Sequence, residues 1–303
     1  MENSAREGRP RASWGGRLLL ALLSRLPRAV ASRGFGRLAD AGIPRPLRAT
    51  LIGGFARMVG ARMDEARQAP ADYASLNAFF VRRLASGARQ WPSDASLATS
   101  PVDGVLTRLG TVEDGQLVQA KGRRYTAAAL LAGEDAAARF HGGLYATIYL
   151  APRHYHRIHA PVAGRLRSAS YVPGGLFPVN AAAVAEIPDL LATNERVVCS
   201  IAGGAGRVAL VAVGAYNVGR ISTAFDPAWG GGEGGWVTNR RPPSERHRTY
   251  QPPLTIARGQ EIMAFHLGSC VVMLLERDSH EWVPGLTAGR EIRLGEALAR
   301  PLP

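Results

Sequence analysis

The hydrophobic pattern divides the chain into two parts. From Arg17 to about Ala66 it is helical, basic and broken by prolines. In "PRPLRATLIGGFARMVGARMDEA", Leu47, Leu51, Phe55, Met58 and Val59 recur at helical spacing with arginines between them. "YASLNAFFVRRL" follows, Tyr73 to Leu84, where Ser75 is placed to cap a short helix carrying Leu76, Phe79 and Phe80. Beyond Trp91 the pattern changes to short strands punctuated by Gly, Pro and Asn: "DGVLTRLG", "LYATIYL", "GRLRSASYV", "RVALVAVGAYNVGRIST", "EIMAFHLGS" and "CVVMLLE". "YTAAALLAGEDAAARF" predicts a helical insertion, and "DPAWGGGEGGWVTNRRPPSERHRTYQPP" a long loop. There is no repeat, and strands do not alternate regularly with helices. The predicted fold class is therefore α+β, a helical N-terminal region followed by a strand-rich, mainly antiparallel domain. The boundary is placed at residues 1–84 and 85–303.

Composition sharpens this picture. Across 303 residues, 46% are hydrophobic, enough for a sizeable core, and the formal net charge is +13. That balance selects an anionic partner: nucleic acid, an anionic membrane or an acidic substrate. The basic helical segment has two readings. It is either an interfacial helix, arginines on lipid phosphates and apolar side in the acyl boundary, or a bundle helix with a solvated charged face. "RLLLALLSRLPRAVAS", Arg17 to Ser32, is too short and too interrupted by Arg25 and Arg28 for a membrane span or a cleaved signal. Two cysteines, Cys199 and Cys270, do not make a disulfide framework and favour a reducing compartment.

Three places could carry chemistry. "FHLGSCVVMLLE" reads as one apolar strand, yet Gly268 and Ser269 interrupt it. A glycine bulge explains that, and so does a bond meant to break. "YLAPRHYHRIHAP" gathers His154, His156 and His159 of the chain's seven histidines. No Cys, Asp or Glu lies nearby to complete a metal site, so proton transfer is the better reading. "SPVDGVL" puts Asp103 in a turn, which alone means little. Together, an Asp, a His and a Ser are the parts of a triad of orienter, base and nucleophile. Cys270 reads as a small buried residue, with a nucleophilic role left open by its place beside Ser269. A Ser-His-Asp hydrolase and a basic membrane- or nucleic-acid-binding protein remain as alternatives.

From Tyr73 to Glu276 the chain closely resembles the phosphatidylserine decarboxylase proenzymes of bacterial and mitochondrial type. The resemblance rests on ordered blocks: "LNAFFVRRL", "SPVDGVL", "QAKGRRYTAAALLAGE", "YLAPRHYHRIHAP", "YVPGGLFPVN", "IPDLLATNERV", "VGAYNVGRI" and "FHLGS". It implies cleavage between Gly268 and Ser269 into a large β chain and a small α chain that stay associated. Ser269 would be the nucleophile, His159 the base and Asp103 its orienter, with Ser269 becoming a covalent pyruvoyl cofactor. That carbonyl would form a Schiff base with phosphatidylserine and release carbon dioxide and phosphatidylethanolamine, with His156 handling protons. Phe177 and Asn180 would line the substrate site. The resemblance further implies an anionic membrane surface as partner rather than nucleic acid, with pairing of processed units compatible. It also implies a peripheral location on the cytoplasmic face of a bacterial inner membrane. Three positions depart from the family pattern: Cys270 where Thr is common, His154 where Asp is frequent, and Pro178 where Ser stands.

Overall fold

The computed structural model describes residues 34, 36–215, 220–229, 246–266 and 269–303. Six helices and sixteen strands are named along them. The helices are α1 Arg45–Val59, α2 Leu76–Phe80, α3 Ala127–Leu131, α4 Glu134–Ala138, α5 Ala181–Glu186 and α6 Leu190–Thr193. The strands begin with β1 Ala98–Thr99, β2 Gly104–Thr111, β3 Gln116–Ala120, β4 Arg123–Thr126 and β5 Leu144–Leu150. They continue with β6 Arg157–His159, β7 Gly164–Val172, β8 Arg196–Gly203, β9 Arg207–Val213, β10 Ile221–Thr223 and β11 Arg246–Ile256. The last are β12 Glu261–Phe265, β13 Ser269–Leu275, β14 His280–Trp282, β15 Glu291–Ile292 and β16 Ala297–Pro301.

Eight strands form the central sheet, in the order β11-β7-β8-β9-β13-β5-β2-β15, and a three-stranded sheet has the order β10-β12-β6. The ladders in both are antiparallel, as the sequence pattern predicts. All seven residues of β13 are buried, so it reads as a continuous apolar run rather than an alternating one. Successive side chains of a strand point to opposite faces. Val271, Met273 and Leu275 accordingly join one core with Ile158, Ile262 and Phe265 of the small sheet. Cys270, Val272 and Leu274 join a second core with Ile52, Ala56, Phe79, Phe80 and Leu130 of the helices. The molecule is thus layered: small sheet, large sheet, helices. By the same alternation Ser269 faces the small-sheet side.

In the described part of the Arg17–Ala66 region the expected helix is α1, and the later expected helices are present. Ser75 caps α2 by accepting from the Ala78 N–H at 3.1 Å, and the insertion folds as α3 and α4. Helix α1 ends at Gly60, whose φ of 73° is the left-handed conformation that only glycine adopts freely. Its Ile52 and Ala56 are buried, while Leu47, Leu51 and Met58 are 51%, 51% and 75% exposed. No helix of the described residues is long and apolar enough to cross a membrane.

Three readings of the pattern need correction. The long loop is not loop to its end: residues 246–253 belong to β11, which pairs with β7 and edges the sheet. Its prolines, Pro252 and Pro253, sit where the register slips between Thr249 and Leu254, the edge position at which a missing N–H is tolerated. "RVALVAVGAYNVGRIST" supplies two strands on different sheets, β9 and β10. The stretch around Gly268 and Ser269 does so as well. Strand β12 lies in the small sheet and β13 in the large one, so the chain changes layers between Phe265 and Ser269. One continuous strand through this stretch is therefore excluded. Gly268 itself, residues 1–33 and most of the glycine-rich loop lie outside the described residues.

Candidate active site

Sheet register brings the candidate residues to one end of the large sheet. Ser269 is paired with Leu150 of β5, and Val105 of β2 with the adjacent Tyr149. Asp103 immediately precedes β2. With neighbouring strands about 4.8 Å apart, Ser269 and Asp103 lie roughly 10 Å apart on either side of β5. His159 is tied to the same corner, since its backbone N–H donates to the Pro101 carbonyl at 2.9 Å. His156 approaches from the small sheet, its carbonyl accepting from the Phe265 N–H at 2.9 Å, just before the crossing.

The side chains are committed differently from a direct triad. The Asp103 carboxylate takes Arg89 Nε at 2.9 Å and Arg89 Nη2, and accepts the Leu294 N–H at 2.8 Å. Arg89 in turn binds Glu65 Oε2 at 2.7 Å. The His159 ring is oriented by a backbone group instead: Nδ1 donates to the Gly259 carbonyl at 2.7 Å, leaving Nε2 to accept from the Tyr155 hydroxyl at 3.1 Å. Asp103 reaches His159 only through its charge, which raises the imidazole pKa as a minor contribution. The orienting bond expected of Asp103 is thus made by Gly259 in this state. Burial dominates and lowers the His159 pKa, so the ring is a neutral base.

His156 is 0% exposed and packs edge-on against Phe80, ring centroids 5.3 Å apart. Its Nδ1 donates to the His154 carbonyl at 2.8 Å. Burial first, then the nearby Arg82 charge, lowers its pKa to about 3. Its Nε2 is buried with no hydrogen-bond partner among the described residues, and so is the Ser269 Oγ, on a residue that is 0% exposed. An unpaired buried hydroxyl costs about 1–3 kcal/mol. Its place at the start of a core strand therefore has no structural return. His154 is structural on its Nδ1, which accepts the Ala151 N–H at 2.9 Å. Burial pushes the Cys270 thiol up to about 12, which leaves it a small core residue and not a nucleophile.

Phe177 packs against the helix-side core that includes Cys270 and Phe80, and Asn180 follows three residues later. The Phe177 backbone is clamped by Asn194, whose Oδ1 accepts from its N–H and whose Nδ2 donates to its carbonyl, both at 2.9 Å. Asn180 is exposed and spends its Oδ1 capping α5 through the Ala183 N–H at 2.9 Å. The sequence reading did not single out Tyr155, Arg89 or Gly259. Tyr155 lies inside the histidine block, which was the available signal. Arg89 and Gly259 carried none.

The buried histidines set a pH dependence. His156 and His266 are lowered to about 3 and about 4, both chiefly by burial, against an unfolded value near 6.5. Below about pH 6.5 the unfolded chain therefore binds more protons than the folded one. Stability is complete above that pH and falls as pH drops toward 4 and 3. The urea midpoint should decline steadily from pH 7 to pH 4.5; a flat profile would show that these rings are not buried neutral.

Comparison with known proteins defines the class as a decarboxylase. The family model described as phosphatidylserine decarboxylase matches residues 76–300. A phosphatidylserine decarboxylase proenzyme of Anaeromyxobacter sp. (strain K) is 41% identical, covering 93% of this chain and 98% of its own length. Those of Azotobacter vinelandii and Yersinia enterocolitica are 38% and 39% identical, each covering 94% of this chain and 98% of their own length. The chain belongs to the phosphatidylserine decarboxylase family.

Proposed function

We propose that the chain cleaves itself between Gly268 and Ser269 and then converts phosphatidylserine to phosphatidylethanolamine and carbon dioxide. The observation that supports this most is Ser269: a buried hydroxyl with no hydrogen-bond partner among the described residues, at the point where the chain passes from one sheet to the other. Ser269 Oγ attacks the Gly268 carbonyl, His159 accepts its proton, and an ester replaces the amide. Elimination then releases Gly268 as a carboxylate and leaves dehydroalanine at 269. Addition of water and loss of ammonia leave the pyruvoyl group. That group supplies an electron sink for the pair left when carbon dioxide departs. The residues present suit it: a strand start shielded from water, with the His156 Nε2 buried and uncommitted as a proton carrier. Asp103, fixed by Arg89, supplies a negative charge that favours the imidazolium as it forms. Phe177 and Asn180, held by Asn194 and by the start of α5, border the substrate path.

Denaturing electrophoresis with intact mass measurement tests the reading. Two fragments are expected, residues 1–268 and 269–303, the smaller lighter than a Ser-started peptide by one ammonia and resistant to Edman degradation. A chain that stays whole while decarboxylating phosphatidylserine overturns it.

Residues 1–84 are the membrane-facing part and 85–303 the catalytic part, acting on the cytoplasmic face of the inner membrane. The exposed stripe Leu47, Leu51 and Met58 is the side presented to lipid, with Arg45, Arg48 and Arg57 on the same helix. Each arginine near an anionic surface is worth about 1 kcal/mol, and each buried leucine roughly 1.5–3 kcal/mol. Leu47→Glu combined with Leu51→Glu should weaken sedimentation with phosphatidylglycerol vesicles at least about tenfold and leave chain cleavage intact. Unchanged sedimentation would assign the stripe elsewhere.

A further inference from the structure

Two clefts open beside the site. One, of about 970 Å³, is lined by Tyr73, Asn77, Arg83, Arg157, Ser222 and His266. The other, of about 380 Å³, is lined by Glu65, Arg89, Asp103, His154, Tyr155 and Glu291. Arg82 lines both. The remaining arginines of these clefts each have a carboxylate within 4 Å. Arg83 and Arg157 share Glu261, Arg153 takes Glu291, and Arg62, Arg89 and Arg293 converge on Glu65. Arg82 has no such partner among the described residues, although it is 3% exposed.

Its hydrogen bonds are also incomplete. Nη2 donates to the Arg153 and His154 carbonyls at 2.9 and 3.0 Å. Nε and Nη1 are buried with no acceptor among the described residues. The guanidinium lies 4.8 Å from the centre of the Phe79 ring. A buried guanidinium without a counter-charge is a large cost, since buried charges are normally paired. The His154 carbonyl that accepts Arg82 Nη2 also accepts His156 Nδ1, so Arg82 stands beside the proposed proton carrier.

We propose that Arg82 is the positioning residue for the substrate's phosphodiester, taking its oxygens on Nε and Nη1. This rests on the decarboxylase reading above. Two adjacent N–H groups on a planar fork match two phosphate oxygens, a geometry a lysine does not reproduce. The substrate's carboxylate is the less suitable occupant. Its negative charge leaves the carboxyl group as carbon dioxide forms, so an arginine on it would favour the ground state over the transition state. A phosphodiester keeps its charge throughout. Binding it lowers KM without opposing the chemistry.

The test compares two substrates on the self-cleaved full chain: a short-chain phosphatidylserine and an O-alkyl serine ether, which has the amine and carboxylate but no phosphate. Arg82→Lys and Arg82→Gln should both raise KM for the lipid at least about tenfold with kcat little changed. Both should leave kcat/KM for the ether unaltered. Glycerophosphoserine should inhibit the wild type competitively and the variants weakly. Equal losses on both substrates would make Arg82 a structural tie for the Arg153–His154 turn. A selective loss on the ether would put the carboxylate there. Either overturns the proposal. If a variant does not fold, retention of glycerophosphoserine inhibition by wild type at unchanged strength in high concentrations of inorganic phosphate overturns it instead. Failure of the wild type to cleave itself or to release carbon dioxide would count against the decarboxylase reading, whereas glycerophosphoserine binding addresses the anion site by itself.

Discussion

Ser269→Ala is expected to give a single uncut chain with no decarboxylase activity and a melting temperature equal to or above that of the uncut wild-type precursor. The two halves of this expectation come from one observation. The Ser269 Oγ makes no hydrogen bond among the described residues, so its removal breaks none. Taking away a buried unpaired hydroxyl is neutral or stabilises by up to about 1–3 kcal/mol. The vacated volume is small, and the ladder to Leu150 is made by the backbone. Loss of cleavage therefore cannot be attributed to misfolding. Circular dichroism melting and a denaturing gel on the same sample check both halves. A variant that is still cut removes Ser269 as the nucleophile, and one that is uncut but unfolded removes the argument from the unpaired hydroxyl.

The second large effect separates the two histidines. His159→Ala should abolish cleavage, whereas His156→Ala should be cut at least in part and turn over lipid at least about a hundredfold more slowly, the range expected for loss of a general acid–base group. His159, the proposed base, has its ring fixed by Gly259 and its Nε2 covered by a neutral hydroxyl, Tyr155. Tyr155→Phe, by freeing that nitrogen, should retain cleavage. His156 Nε2 has no hydrogen-bond partner among the described residues and lies in a site too dry to hold a charge at rest. Gel densitometry over time and carbon dioxide release distinguish the roles. An uncut His156→Ala chain together with a normally maturing His159→Ala chain would exchange them.

Much of this was legible in the sequence because period and caps are local signals. The six apolar residues of β13 after Ser269, the Ser75 cap and the α3–α4 insertion follow from neighbours in the chain. Strand β11 did not, because its outward positions are His247, Thr249 and Gln251 and it contains two prolines, the composition of an edge rather than of a core. Strand β8, "RVVCSIAG", lacks the alternation that separates strand from buried helix. The residue types of the site were legible, but their bonds were not. Gly259 acts through a carbonyl, which every residue possesses. Arg89 and Arg82 are two of many arginines in a strongly basic chain, and nothing local marks either. What distinguishes them is the carboxylate each has or lacks nearby, a property of the folded chain alone.

If the chain is cut before Ser269 as proposed, the position of β13 would give the cut enzyme a different kind of lifetime from its precursor. The strand is hydrogen-bonded to β5 on one side and β9 on the other. The rest of the small fragment supplies β15 to the sheet edge and β16 between β1 and β14. Once the bond before Ser269 is gone, this piece is threaded through the fold at three places with no covalent link to return it. Unfolding then separates two polypeptides, and recovery requires their encounter, which dilution suppresses. The precursor can refold as one chain, but the mature enzyme persists for as long as its barrier to opening holds. The proposed maturation would in this sense be a one-way passage, from a protein kept by equilibrium to one kept by kinetics.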